Sequence, residues 1–279
     1  MNREPSIDII IPIYNSEKFL GQTLDSLIVQ TYTNFNILCY NDGSIDKSEA
    51  LIKEYIKADK RIKLLGSKKI GLVNSLNLLI KNCNSDIVVR IDSDDICEKN
   101  RLETLVNYYL KNNADIYYSN YTLINENGSF LFPFIKIAPH HNVLEKFMRW
   151  RNPICHPTVM YKRSIFKKVS YNSDFVGAED YKLWADCLAI NLKFLKVPHS
   201  LIRYRIHKNQ FTRKNSFSTQ ESTNKILHDL KKIWPLKTFD PIFDAYLKDK
   251  NIFNLIKVIL HSHSRGLRFR MILNFFFAS

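Results

Sequence analysis

Residues 7–91 alternate short β-branched runs with segments of helical periodicity, and that alternation limits the chain to a layered α/β fold. The first run is Ile7-Asp8-Ile9-Ile10-Ile11-Pro12, closed by proline, after which Glu17 to Gln30 sets Leu20, Leu24, Leu27 and Ile28 on one helical face. Phe35–Tyr40 then predicts a second strand, Ser44–Ala58 a second helix, Ile62–Leu65 a third strand, Gly71–Asn82 a third helix and Asp86–Ile91 a fourth strand. Helices of this length between strands imply a mostly parallel central sheet covered on both faces. Open sheets of that kind take ligands beyond the carboxyl ends of their strands.

Farther along, a helix is expected from about Lys99, with Leu102, Leu105, Val106, Tyr109 and Leu110 at amphipathic spacing, and Ile116–Ser119 returns as a strand. From Phe130 to Ala138 the pattern turns extended and aromatic, so the second half reads as mixed α+β. Beyond Ser218 the chain reads as helical, broken at Pro235 and Pro241. The expected division is a catalytic domain over 1–215 and a basic helical extension over 216–279.

The fourth strand ends in Asp92-Ser93-Asp94-Asp95, which crowds three carboxylates where a buried strand emerges. Taken alone, the quartet fits two readings: Asp and Ser capping the next helix, or a cation holding mutually repelling acids together. Hard oxygen ligands suit Mg²⁺ or Mn²⁺, ions that also hold diphosphates, which points to metal-assisted chemistry on a nucleotide diphosphate. Two further polar clusters end earlier strands: Pro12-Ile13-Tyr14-Asn15 with Glu17, and Asn41-Asp42-Gly43-Ser44-Ile45-Asp46. Turn chemistry explains each separately, but it does not require all three to meet at one edge of one sheet.

Composition narrows the class. The 279 residues are 45% hydrophobic and 13% aromatic, enough for a substantial core and unlike a disordered or fibrous chain. Cys39, Cys83, Cys97, Cys155 and Cys187 form no CxxC pair, which argues for packed thiols in a reducing compartment. Met1–Ser6 is polar and the next apolar run is broken by Asp8 and Pro12, so a cytoplasmic protein without a signal peptide is expected. No stretch approaches the roughly 20 apolar residues of a membrane span.

The net charge is +14, and residues 200–279 hold 15 Lys plus Arg against 5 Asp plus Glu. After Asp249 no acid follows, and Arg265, Arg268 and Arg270 interleave with Leu267, Phe269, Met271, Ile272, Leu273 and Phe275-Phe276-Phe277. Such a tail suits either a helix lying on an anionic bilayer or a hairpin packed on the catalytic domain or a second subunit. A nucleic-acid-binding reading would rest on charge alone and leave the ordered acids unexplained. A nucleotidyltransferase would want a glycine-rich basic loop near the first strand, and residues 12–17 have neither glycine nor arginine.

Taken in order, Ile11-Pro12-Ile13-Tyr14-Asn15, Asn41 to Asp46, Ile70-Gly71-Leu72 through Asn77, Arg90-Ile91-Asp92-Ser93-Asp94-Asp95 and Glu179-Asp180-Tyr181-Lys182-Leu183-Trp184 resemble family 2 of the inverting glycosyltransferases over about the first 210 residues. The resemblance implies the GT-A nucleotide-sugar-binding fold and a metal-dependent enzyme that moves a sugar from a nucleotide-diphosphate donor, usually a UDP-sugar. The implied acceptor is a glycan or lipid-linked glycan of the bacterial surface, met at the inner face of the cell membrane. A catalytically degenerate relative that only binds nucleotide sugars or another protein is the alternative.

By position, the resemblance puts Pro12, Tyr14 and Glu17 around the nucleoside and Asp42 on the base, with Asn41 where the family usually has another acid. It makes Asp92 and Asp94 the DxD motif, the first near the ribose and the second on the metal, with Arg90 and Ser93 on the donor side and Asp95 supporting the loop. Inversion needs a base opposite the leaving group, and the resemblance assigns it to Asp180, with Glu179 binding acceptor or orienting the loop. At the start of a helix both acids are favoured in their ionised form. Tyr204-Arg205-Ile206-His207 brings His207 to the metal or diphosphate, and Asn152-Pro153-Ile154-Cys155-His156-Pro157 brings His156 to the acceptor side. Arg90 also reads as a strand-end salt bridge, and His207 as a structural histidine.

Overall fold

A computed structural model describes residues 4–136, 138–141, 144–149, 151–208, 210 and 216–233. Its strands are β1 (Ile7–Ile13), β2 (Phe35–Asn41), β3 (Ile62–Leu64), β4 (Ile87–Arg90), β5 (Ile96–Cys97), β6 (Ile116–Ile124), β7 (Phe130–Lys136), β8 (Met160–Lys162) and β9 (Phe194–Arg205). The helices are α1 (Leu20–Ile28), α2 (Ser48–Ala58), α3 (Leu72–Lys81), α4 (Arg101–Lys111), α5 (Leu144–Met148), α6 (Glu179–Ala189) and α7 (Ser216–Ile233). One sheet runs in the order β3-β2-β1-β4-β8-β6-β9-β5, with β7 paired to β6.

The N-terminal strands β3, β2, β1 and β4 are parallel. Beyond them β8 is antiparallel to both β4 and β6, while β9 runs parallel to β6. The mixed character expected of the second half therefore lies within the same sheet. Largely apolar runs form β1, β2 and β4 because both faces are covered there, whereas the edge strand β3 exposes Lys63. Ile7, Ile9, Ile11 and Ile13 pack with Leu20, Leu24 and Leu27 of α1 and Leu102 and Leu105 of α4. On the other face, Ile10, Leu38 and Val88 join Leu76 and Leu79 of α3 and Leu183 and Trp184 of α6.

Asp8, an acid inside this run, is 3% exposed. Its carboxylate accepts the backbone N–H groups of Asn84 and Ser85 and the side-chain amide of Asn36, so it ties the turn before β4 to β1. Buried and hydrogen-bonded in this way, the charge is tolerated.

Several boundaries depart from the periodicity. Helix α2 starts at Ser48 rather than Ser44, because Asn41 and Asn15 side chains hold the Ser44 and Ile45 N–H groups in a turn. The acidic quartet is followed by the two-residue strand β5, which pairs Ile96 with Arg203 and Cys97 with Ile202 on β9. Leu110, expected on the apolar face of α4, is 59% exposed. Cys39, Cys83, Cys97 and Cys187 are free and buried, and Cys155 is free and partly buried.

Helix α7 packs into the core beside α6, where Ile226 and Leu230 are buried with Tyr181 and Trp184. The breaks expected at Pro235 and Pro241 and the basic apolar tail after Asp249 lie outside the described residues. Among the described residues, no helix is long and apolar enough to cross a membrane.

Candidate active site

Register alone brings the first three sequence clusters together. Ile13 pairs with Asn41 and Ile10 with Arg90, so the loops after β1, β2 and β4 leave the sheet at one edge. A line of hydroxyls joins them: Ser16 Oγ lies 2.6 Å from Ser93 Oγ, and the Ser16 N–H donates to Ser48 Oγ at 2.8 Å. Pro12 is buried within β1, whereas Tyr14 is 48% exposed at its end, with the Lys69 ammonium 4.8 Å from the ring centre. Glu17 accepts the Lys47 N–H at 2.8 Å, which fastens this loop to the entry of α2.

Asp42 and its neighbour divide their work. Asp42 Oδ1 accepts the N–H groups of Ile70 and Gly71 at 2.6 and 2.8 Å, holding the start of α3 against the end of β2. Asn41 is fully buried; its Oδ1 accepts the Ser44 N–H and its amide donates to Glu49 Oε2. The position where the family usually has an acid is here an internal turn lock.

The quartet is held from both sides. Arg90, 3% exposed, grips Asp92 with both Nη groups. Burial alone would weaken the guanidinium charge, but Asp92 more than restores it and raises the Arg90 pKa. One carboxylate oxygen from each of Asp92, Asp94 and Asp95 lies within 4.8 Å of the others. His207 Nε2 lies 2.8 Å from Asp94 Oδ2, so the chain brings together the two residues expected at a metal. Asp95 is completely buried and accepts the Arg205 N–H at Oδ1, while its Oδ2 has no hydrogen-bond partner among the described residues. Burial first, then the charges of Asp94 and Asp92, pushes the Asp95 carboxyl well above the usual carboxylate range. An orphaned buried oxygen among clustered carboxylates fits a hard divalent cation, which would supply the missing positive charge.

Arg205 is the residue that holds this cluster in place, and sequence reasoning passed over it. Fully buried at the end of β9, it donates to the Asp94 carbonyl at 2.8 Å, the Glu126 carbonyl at 2.9 Å and Gln22 Oε1 at 2.7 Å. Its guanidinium also lies 4.7 Å from the Phe19 ring centre. A strand-end arginine carries no sequence signal of burial; the only hint is its place between Tyr204 and His207 in a motif already singled out.

The second acid pair opens α6. Glu179 is buried and turns back, its Oε2 accepting the Gly177 N–H at 2.8 Å, whereas Asp180 is partly exposed. Asp180 Oδ2 accepts the Asn152 amide at 2.7 Å, and Oδ1 accepts the Tyr181 N–H at 2.7 Å. Burial pushes the Asp180 carboxyl up to about 6, against the pull of those two donors. Burial and the Asp180 charge push Glu179 up to about 7. Burial therefore overrides the helix start, and neither acid is favoured in its ionised form, contrary to the expectation from the sequence; Asp180 is an oriented carboxyl whose pKa is raised to about 6. Asn152 is a second residue that the sequence did not single out, although it begins the motif containing His156.

His156 itself is 7% exposed. Its Nε2 lies 2.6 Å from the Tyr171 hydroxyl, which in turn lies 3.1 Å from that of Tyr161, and its ring meets Trp184 edge-on. Burial and then Arg90 hold its pKa well below the usual histidine value, so the ring is neutral. Asn77, the last residue of the third motif, clamps Tyr171 by donating to its carbonyl and accepting its N–H.

Comparison with known proteins matches this architecture. The family model described as Glycosyl transferase family 2 matches residues 8–170. The O-antigen biosynthesis glycosyltransferase WbnJ of Escherichia coli is 30% identical over 259 residues, covering 91% of this chain and 94% of WbnJ. The E. coli UDP-Glc:alpha-D-GlcNAc-diphosphoundecaprenol beta-1,3-glucosyltransferase WfgD is 32% identical over 212 residues, or 74% of this chain and 81% of WfgD. Among solved structures, S. aureus TarS 1-349 in complex with UDP-GlcNAc superposes with a TM-score of 0.66 at 16% identity, over 96% of this chain and 78% of TarS 1-349. With the motif loops on one sheet edge and a family match over residues 8–170, more than half of the sequence, the chain belongs to glycosyl transferase family 2 and has the GT-A fold.

Proposed function

We propose that this protein is an inverting glycosyltransferase that moves a sugar from a nucleotide-diphosphate donor, a UDP-sugar, to a glycan or lipid-linked glycan in bacterial surface polysaccharide synthesis. The observation that carries the reading is the pairing of two acid groups with opposite tasks: Asp92, Asp94 and Asp95 clustered beside His207, and Asp180 presented on α6 with both oxygens oriented. The donor class is supported by TarS, whose complex contains UDP-GlcNAc, and by WfgD, named for UDP-Glc and a diphosphoundecaprenol acceptor.

In this reading Tyr14 and Asp42 contact the nucleoside, while Pro12, Glu17 and Ser93 shape its loop. Asp94 and His207, with Asp95 beside them, would hold Mn²⁺ or Mg²⁺. When bound, the ion neutralises diphosphate charge as the glycosidic bond breaks. Asp180 takes the acceptor hydroxyl proton as that oxygen bonds the anomeric carbon, and the nucleoside diphosphate departs from the opposite face. Arg90 keeps Asp92 in place at the donor, Glu179 orients the loop before α6, and the His156 side chain backs the acceptor pocket through Tyr171. The basic segment within 216–279 holds the enzyme to the inner face of an anionic membrane; vesicle sedimentation that is unchanged by deletion after Asp249 would refute that part.

The test is calorimetric titration with UDP, GDP, CDP and dTDP, each with and without Mn²⁺. Metal-dependent binding of UDP that is lost in Asp94→Ala is expected. Absence of binding to every diphosphate by folded protein would favour a degenerate relative that serves as an interaction protein.

A further inference from the structure

The turn that delivers the Glu179–Asp180 pair is built against α7, outside the segment matched by the family model. Gly177 has φ of +85°, a left-handed conformation that glycine adopts at little cost. A Cβ there would lie 2.4 Å from Thr219 Oγ1 and 3.3 Å from Thr219 Cα, so the helix and the turn are in direct contact. The same Gly177 donates its N–H to Glu179 Oε2. Contacts continue along α7: Ser222 Oγ donates to the Val176 carbonyl at 3.3 Å, and the Lys225 ammonium lies 4.7 Å from the ring centre of the buried Phe175. Ile226 and Leu230 then anchor the helix in the core beside Tyr181 and Trp184.

A cap on an ordinary helix start would need none of this. Helix α6 has Ala178 at its N-cap with no side-chain cap, so the backbone preceding Glu179 depends on the Gly177 turn and on whatever packs against it. We propose that α7 is part of the catalytic apparatus, with Thr219 a positioning residue that fixes the Gly177 turn and through it the orientation of Glu179 and Asp180. This rests on Asp180 being the base. The Thr219 hydroxyl is buried with no hydrogen-bond partner among the described residues, so it acts by packing on the Gly177 turn and governs turnover rather than donor affinity. A misplacement of about 1 Å at a catalytic group costs rate out of proportion to the distance.

The experiment uses the full chain and three variants: Thr219→Leu, Thr219→Ala and Thr219→Ser. Turnover is read as nucleoside diphosphate release from a panel of UDP-, GDP-, CDP- and dTDP-sugars, and the amides of residues 172–181 are followed by hydrogen exchange. Thr219→Leu is expected to lower kcat by about ten-fold or more while leaving the donor KM within about two-fold, and Thr219→Ser to stay near wild type. Exchange across 172–181 should rise about ten-fold in Thr219→Ala, with residues 90–97 unchanged. Should Thr219→Leu fail to fold, the milder Thr219→Ala decides by its exchange. Unaltered kcat in folded Thr219→Leu, or unaltered exchange in Thr219→Ala, overturns the proposal. Wild-type turnover that survives Asp180→Asn would instead refute the base assignment, so the two failures are distinguishable.

Discussion

The Asn152 side-chain amide donates to Asp180 Oδ2 at 2.7 Å, which links the segment before β8 to the first turn of α6. That bond favours the ionised carboxylate against the burial that raises its pKa to about 6. Transfer should therefore rise with pH through about 6 and be lost below it, because protonated Asp180 cannot accept the acceptor's proton. Replacing Asn152 by Leu removes a donor to the charged form, so the acidic limb should move to higher pH. A pH–kcat profile checks both, and an unmoved limb in the variant would detach Asn152 from the base.

Asp180→Asn should lower turnover by about a thousand-fold or more while leaving UDP affinity unchanged, since an amide keeps the shape but cannot take a proton. Kinetics and calorimetry on the same preparation separate the two effects. Equal losses of both would make Asp180 a donor contact.

Arg205→Met should cost about 3 kcal/mol of stability, because it leaves the Asp94 and Glu126 backbone carbonyls and Gln22 Oε1 without their donor. Denaturant unfolding measures this, and Mn²⁺ affinity should fall with it as the Asp94–Asp95 backbone loosens. A midpoint equal to wild type would remove Arg205 as the support of the cluster.

Asn41→Asp restores the acid that family relatives usually have, yet it should not change the choice of nucleotide. The new carboxylate would face Glu49 across 3.3 Å rather than a ligand, costing about 1 kcal/mol in stability through like-charge repulsion and a lost donor. A change in preference among UDP, GDP and CDP beyond about two-fold would show that residue 41 reaches the base after all.

How much of this was legible in the sequence follows from which signals are local. Strands β1, β2 and β4 show as largely apolar runs because both sheet faces are covered there, and the three loop motifs fall at strand ends that parallel pairing must align. Asp94 and His207 could be named because each sits in a recognisable segment. Arg205 and Asn152 were not singled out, since their importance comes from partners 111 and 28 positions away that no local pattern reveals. Strand β5 was missed for a related reason: two residues carry no periodicity, and β9 supplies every bond that makes them a strand. Asn41 looked like a change at the ligand, whereas burial turns it into part of the scaffold.

The span between Asp94 and His207, 113 positions, sets an order of events during synthesis. The strands β1 to β4 and the loops that follow them lie within residues 7–95, and a chain leaving the ribosome can pair them early because their contacts are comparatively short in sequence. The acid cluster remains unfinished until β9 emerges, pairs with β5, and delivers Arg205 and His207. Until then Arg90, gripping Asp92, faces the three carboxylates without the second cation of Arg205 beside them. The nascent protein thus completes the loops proposed to hold the nucleoside well before the acid cluster acquires Arg205 and His207, and a polypeptide stalled before residue 205 would have the first without the second.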